Sequence, residues 1–358
     1  VTEPTSPTGD SADRPSRWSR FSAAARRAAS LPVQGLDYLY QTGQAYRHFT
    51  LPILNGAIGD QLAARHDYRA IQMSFRQLGA DVAVADLPLA GPPLPTVVFL
   101  HGLMGDEMIW QSGSPDTPRY GPLLQREAGV RCLYVRYNSG LHISENGQLL
   151  SQLLSELYTR HAGAVGPLVL VGHSMGGLVI RSAGYYGTHG PATPAPWVAE
   201  LRSVFLLGVP NDGSFLEQNS HLTSVMLRKI NVAPTRFLSK AMDQRSNGIK
   251  DLRHAFLVDQ DWQNPHADDV LMPPRTLVPP LPGVPYHVLV GSLLKTAGSA
   301  LHHYFGDGLV GAGSAVGRIF GDPAPPADSQ IHTRIFAQQS HAGLLSNPEV
   351  YQYLRDHL

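Results

Sequence analysis

From Leu94 to the C terminus the apolar positions alternate between two textures. Short runs of Val, Leu, Ile and Phe, each closed by Gly, Pro, Asn or Ser, occur at 96–102 (TVVFLHG), 131–138 (RCLYVRYN), 167–174 (PLVLVGHS), 203–210 (SVFLLGVP) and 286–292 (YHVLVGS). Runs this short and this continuously apolar read as strands of a parallel sheet covered on both faces. Between them the apolar spacing lengthens to three and four. The clearest case, SENGQLLSQLLSELYTRHA at 144–162, aligns Leu150, Leu153, Leu154, Leu157 and Tyr158 on one helical face. GGLVIRSAGYY opens another helix after Ser174, TRIFA reads as a late strand, and the last helix starts near Pro348, where proline is tolerated in a first turn. The alternation predicts right-handed β-α-β units and an α/β sandwich, its mostly parallel central sheet carrying helices on both faces.

Two stretches break the alternation. Residues 215–285 place a long insertion between two strands, far more than such a connection needs. It contains the amphipathic SHLTSVMLRKI and ends in the proline-rich LMPPRTLVPPLPGVP, so a helical cap over the carboxyl edge of the sheet is expected. Upstream, 31–93 has no long strand-like run. LDYLYQTGQAYRHF and RHDYRAIQMSFRQLG space their apolar residues by three or four, which predicts a helical extension packed on the body at 94–358. Residues 1–30, rich in Pro and Ser, read as a mobile tail. Its latter part, Trp18 to Ala29, interleaves Arg20, Arg26 and Arg27 with Trp18, Phe21 and alanines, a candidate amphipathic helix for peripheral contact with a membrane.

Composition narrows the function classes. With 43% hydrophobic and 16% charged residues in 358, the chain has the makings of a sizeable core. Lys+Arg and Asp+Glu balance at 28 each, so nucleic-acid binding lacks its electrostatic support and a neutral or apolar substrate fits better. The one cysteine, Cys132, lies in a strand-like run and reads as a buried structural thiol, in keeping with a reducing compartment. No apolar run of about eighteen residues marks a spanning helix, and the N-terminal segment lacks a signal-peptide core. The expectation is therefore a cytoplasmic protein.

One motif carries chemistry. Gly172-His173-Ser174-Met175-Gly176 fits G-x-S-x-G, a weak match in a chain with 35 glycines. Its context strengthens it, because the motif follows the strand PLVLV and opens a helix, as a nucleophile elbow requires. Small residues at 172, 176 and 177 suit a sharp turn in which helix and strand come close. Ser174 is the candidate nucleophile. Its attack on an ester carbonyl creates an oxyanion that needs two preset donors. The Met175 N–H is one candidate, and the Leu103 N–H, after the strand end VVFLHG, is the other. His101 reads as a structural residue of that loop.

A serine hydroxyl needs a base, and the base needs a carboxylate to hold its tautomer. Among 16 histidines, His341 in AQQSHAGLLSNPEVY sits between a late strand and the terminal helix, and Asp307 in the glycine-rich YFGDGLVGAGSA follows the strand YHVLVGS. These are the candidate base and acid. Asp212 in LLGVPNDGS is the rival acid. His302 and His303 read as surface or packing residues, and His254 and His332 lack a suitable loop. No cluster has metal-ligand spacing, and GDGLVGAG lacks the ending of a phosphate-binding loop, so neither a metal nor another cofactor is implied.

Through FLHGLMG, VGHSMGGLVIRSA, GVPNDGS, GDGLV and SHAGLLSNPEVY, residues 94–358 resemble the serine lipases and esterases of the α/β-hydrolase superfamily, including bacterial lipases and inositol-deacylase-like esterases. SNGIKDLRHAFLVDQDW at 246–262 is similar to the cap of the deacylase-like group. The resemblance implies Ser174 as nucleophile, Asp307 as acid, His341 as base, and Leu103 with Met175 as oxyanion donors. It departs from the pattern at Gly208-Val209-Pro210-Asn211-Asp212-Gly213-Ser214, where such lipases often have G-T-P-H-x-G-S. The expected activity is cofactor-free hydrolysis of a small-molecule or lipid carboxylic ester through an acyl-enzyme. Acyl transfer by the same triad and a non-catalytic binding role are the alternatives, while dehalogenase and epoxide hydrolase chemistry would need a carboxylate at 174.

Overall fold

A computed structural model of the protein describes residues 51–112, 119–190, 194–211, 213, 246–264, 275–292 and 330–358. Among them, eight strands form one sheet: β1 (Ser74–Gln77), β2 (Ala80–Val82), β3 (Leu94–Leu100), β4 (Arg131–Arg136), β5 (Val165–His173), β6 (Leu201–Leu207), β7 (Tyr286–Ser292) and β8 (Ile331–Ala337). Their order is β2-β1-β4-β3-β5-β6-β7-β8. Every pairing from β4 to β8 is parallel, and β1 runs antiparallel to both β2 and β4. All five apolar runs and TRIFA are thus strands, in the mixed but mostly parallel α/β sheet the alternation implied.

The side-chain period of two sends alternate residues of each central strand to opposite cores. Val98, Leu100, Leu168, Leu170, Val204, Leu206, Val288 and Val290 join one core, which the long helices cover. Val97, Phe99, Val169, Val171, Phe205, Leu207 and Leu289 join the other, with Trp110, Tyr120, Val350 and Leu354. This is why the runs are apolar throughout.

Helix α1 occupies 51–64, α2 is Met108–Gln111, α3 is Tyr120–Glu127, α4 is Ile143–His161 and α5 is Met175–His189. Further on come α6 (Asn247–His254), α7 (Asp259–Trp262) and α8 (Pro348–Asp356). In α4 the expected stripe faces inward, with Leu150, Leu154 and Leu157 fully buried against α5. None of the described helices is long and apolar enough to cross a membrane.

The helical expectation for 31–93 fails at 74–82. There β1 and β2 form a hairpin that extends the sheet, and the register Gln77↔Ala80 leaves a two-residue turn. Leu78 (φ 50°) and Gly79 (φ 78°) both adopt positive φ, as a turn matched to the strand twist demands. A leucine in the first of these positions hides the hairpin from a sequence reading. Residues 1–50 lie outside the described residues, as do 215–245 and 265–274 of the expected cap. Its described portion is anchored to α1 and to the segment after β4: Ser246 Oγ donates to Gly56 O (2.7 Å) and Gly248 N–H donates to Gly140 O (3.1 Å).

Candidate active site

The buried strand β5 ends at His173, and α5 begins at Met175. Ser174 alone makes the turn, at φ 54° and ψ −126°, a conformation that costs a residue with a side chain about 1–3 kcal/mol. The surroundings hold it there. Ser174 N–H donates to Leu207 O (2.9 Å), and Gly177 N–H donates to Ser174 O (3.0 Å). A Cβ on Gly172 would come within 2.6 Å of Gly177 N, one on Gly176 within 2.4 Å of His101 O, and one on Gly177 within 2.2 Å of Val209 Cγ2. The small residues therefore let strand, turn and helix meet with nothing between them. Met175, as the first residue of α5, presents one of the N–H groups that a helix start leaves without an intrahelical partner.

The loop after β3 lies against this turn, and a Cβ on Gly102 would be 3.0 Å from Ser174 Cβ. His101 sets the loop's course. Its ring stacks on Tyr137 (4.2 Å, 11°), Nε2 accepts the Tyr137 N–H (3.2 Å), and Nδ1 lies 2.8 Å from Gly102 O. An amide N–H only donates and a carbonyl only accepts, so the ring is neutral with its proton on Nδ1. Burial holds its pKa down at about 4. Tyr137 OH donates to His101 O (2.8 Å). Further along, Met104 N–H donates to Ser139 Oγ (3.1 Å) and Gly105 N–H to Gly102 O (3.1 Å). With those donors committed, the Leu103 N–H is the loop's candidate for the oxyanion. Behind the loop, Arg76 of the hairpin pairs with the fully buried Glu107 (2.9 Å).

His341 is buried in the loop between β8 and α8. Its backbone carbonyl lies 3.2 Å from His173 Nε2, and the two imidazole rings are 4.5 Å apart. The single Tyr120 O–H donates to Leu344 O (2.6 Å), with Asn347 O also within its reach (3.1 Å), and Arg119 Nη1 donates to Leu345 O (3.1 Å). Asn347 Oδ1 caps α8 by accepting the N–H groups of Glu349 and Val350.

Ser174, Met175 and the Gly102–Leu103 loop thus stand side by side at the carboxyl edge of the sheet, and His341 is drawn to them through His173. Asp307 lies outside the described residues, as do Asp212, His302 and His303. His254 closes α6, and His332 sits near the start of β8, at the amino edge of the sheet, stacked on His287 (5.1 Å). Cys132 is buried, and burial pushes its thiol up to about 12, in keeping with a structural residue. Among the described residues no group of three or more His, Cys, Asp and Glu is arranged to hold a metal ion. Sequence patterns assign His173 and Tyr120 no role. Their signals are a histidine at a position where the elbow needs only backbone, and an aromatic hydroxyl far from the motif.

The profile of the alpha/beta hydrolase family matches residues 97–351. Solved structures similar to the chain include the mature lipase BlEst2 of Bacillus licheniformis, 18% identical, with 79% of this chain and 98% of that one covered and a TM-score of 0.46. A putative aryl esterase from Burkholderia cenocepacia is 16% identical over 74% of this chain and 90% of its own, with a TM-score of 0.38. The Pyrococcus furiosus esterase PF2001 is 12% identical over 74% and 80%, with a TM-score of 0.42. No curated protein sequence matches the chain. With the profile spanning well over half of its residues, the chain belongs to the alpha/beta hydrolase family.

Proposed function

We propose that the protein is a serine hydrolase of carboxylic esters. The observation that carries this reading is Ser174 itself: a buried serine held at positive φ between a strand and a helix, where an ordinary turn would use glycine. His341 removes the Ser174 proton as the oxygen attacks the ester carbonyl, and the Leu103 and Met175 N–H groups receive the oxyanion. The protonated His341 then passes its proton to the leaving alcohol. In the second half-reaction it activates water, which releases the acid and restores the serine. Asp307 orients His341. Zero formal net charge and an insertion rich in Leu, Val, Met and Pro support an ester with an apolar acyl group. No metal or cofactor enters the scheme.

Ser174→Ala is expected to abolish both hydrolysis of p-nitrophenyl esters and labelling by a fluorophosphonate, and undiminished labelling would overturn the assignment. His341→Ala should lower kcat by about 10³-fold or more. Asp307→Asn should come close to that loss while Asp212→Asn does not, and the reverse ranking would move the acid to Asp212.

A further inference from the structure

His173 occupies the first variable position of G-x-S-x-G, where the turn makes demands on the backbone alone. The imidazole there is buried, and a buried polar ring is costly unless it is bonded. Its bond goes to the carbonyl of His341 (3.2 Å). Because that carbonyl can only accept, Nε2 carries the proton. The other nitrogen, Nδ1, lies 3.3 Å from the place a Cβ on Gly102 would take. The Trp110 ring meets the imidazole edge-on at 6.5 Å. One side chain therefore adjoins the nucleophile in sequence, the oxyanion loop through Gly102, and the base through the His341 carbonyl.

We propose that His173 is a positioning residue that sets the distance of His341 from Ser174 through its Nε2–H bond and keeps the oxyanion loop in register with both. The proposal rests on the esterase reading above. His173 does this as a neutral group. Burial holds its pKa well below the ordinary imidazole range; the charge of a protonated His341 ring, and those of His101 and Arg119, act in the same direction, while the bond to the His341 carbonyl opposes them. When His341 takes the serine proton, a second cation with its ring 4.5 Å away would oppose the transfer. A buried ring already bonded to a carbonyl avoids this, and the proton stays on the base.

The test compares His173→Phe, which keeps ring bulk without the donor, with His173→Gln, which keeps an N–H at similar reach. His173→Phe should lose about 10- to 100-fold in kcat, with KM changed less than about twofold, because the loss is one of alignment. His173→Gln should return to within about threefold of the parent. The tautomer is read separately by nitrogen-15 NMR of the imidazoles in Ser174→Ala, which needs no turnover. There His173 should appear as the neutral Nε2–H form. A wild-type kcat in His173→Phe, a His173→Gln variant that melts normally but is no better than His173→Phe, or an Nδ1–H tautomer would each overturn the proposal. Should His173→Phe fail to fold, the Gln variant and the tautomer still decide. Undiminished fluorophosphonate labelling of Ser174→Ala would instead sink the esterase reading and leave the tautomer result standing on its own.

Discussion

His173 and His142 each fasten a loop to the body of the molecule, and they do so through unlike partners. His142 Nδ1 lies 3.0 Å from both carboxylate oxygens of the buried Asp251, on α6, and its ring stacks on Trp262 at 3.8 Å. Asp251 Oδ2 also accepts the Ile143 N–H at the start of α4 (2.8 Å), and the Glu145 side chain accepts the His142 N–H (2.9 Å). Acidic groups are thereby set at a helix N-terminus, where they are favoured. The hydrogen bond of His173 goes to a backbone carbonyl, that of His341. The first junction gains strength from a carboxylate. The second forgoes that strength and adds no charge of its own beside a base that must gain and lose a proton in every cycle.

Breaking the carboxylate junction should show the largest effect on stability. Asp251→Ala removes the partner of His142 and strands the Ile143 N–H, at a cost of about 3–5 kcal/mol measured by urea unfolding. Since this junction is separate from the proton path, kcat per folded molecule should fall far less than in His173→Phe. An equal fall would mean that the two junctions are not independent. At the elbow the balance reverses. Gly176→Ala drives a Cβ to 2.4 Å from His101 O and 2.8 Å from Leu100 O, both backbone atoms with little room to give. Ester hydrolysis should disappear, at a stability cost of about 3 kcal/mol.

The contrast also separates what sequence patterns reveal from what they conceal. Apolar runs repeat with a fixed period, so the central strands and α4 are legible residue by residue. The elbow is legible because glycine at 172, 176 and 177 is a steric requirement of the turn. Partnerships between distant segments leave no period. His142 and Asp251 are 109 positions apart and Tyr120 and Leu344 are 224 apart, and nothing local in either stretch announces the other. His173 lies inside the motif and is still inconspicuous, because its contact depends on where the chain brings residue 341. The β1–β2 hairpin is concealed for a local reason, since Leu78 occupies a turn position that usually signals itself with Asn, Asp or Gly.

Acid titration sharpens the comparison from the side of the neutral histidines. The folded-state pKa of His101 is lowered from 6.5 to about 4. The unfolded chain therefore takes up a proton at this position as pH falls through about 6.5, before the folded one can. Stability is complete above that pH, declines from there to about pH 4, and over the whole window loses about 3 kcal/mol at this site. The lowered pKa of His173 works in the same direction. Urea unfolding across this window should show the decline, and His101→Asn, which cannot titrate, should flatten it. An unchanged slope in that variant would assign the acid sensitivity to other groups.

The smallest effect is expected at Tyr120, another fastening of the His341 loop. Tyr120→Phe deletes the hydroxyl whose one proton is shared between Leu344 O and Asn347 O, removing a neutral bond at a cost of about 1 kcal/mol. The carbonyl of His341 keeps its own tie to His173. If that tie governs alignment, kcat should drop no more than about threefold and KM should hold. A loss in Tyr120→Phe matching that of His173→Phe would show that the loop as a whole, and not the one bond at residue 341, places the base. Combining the two substitutions separates these cases: independent fastenings multiply their effects on kcat, whereas a shared one leaves the double variant no worse than His173→Phe alone.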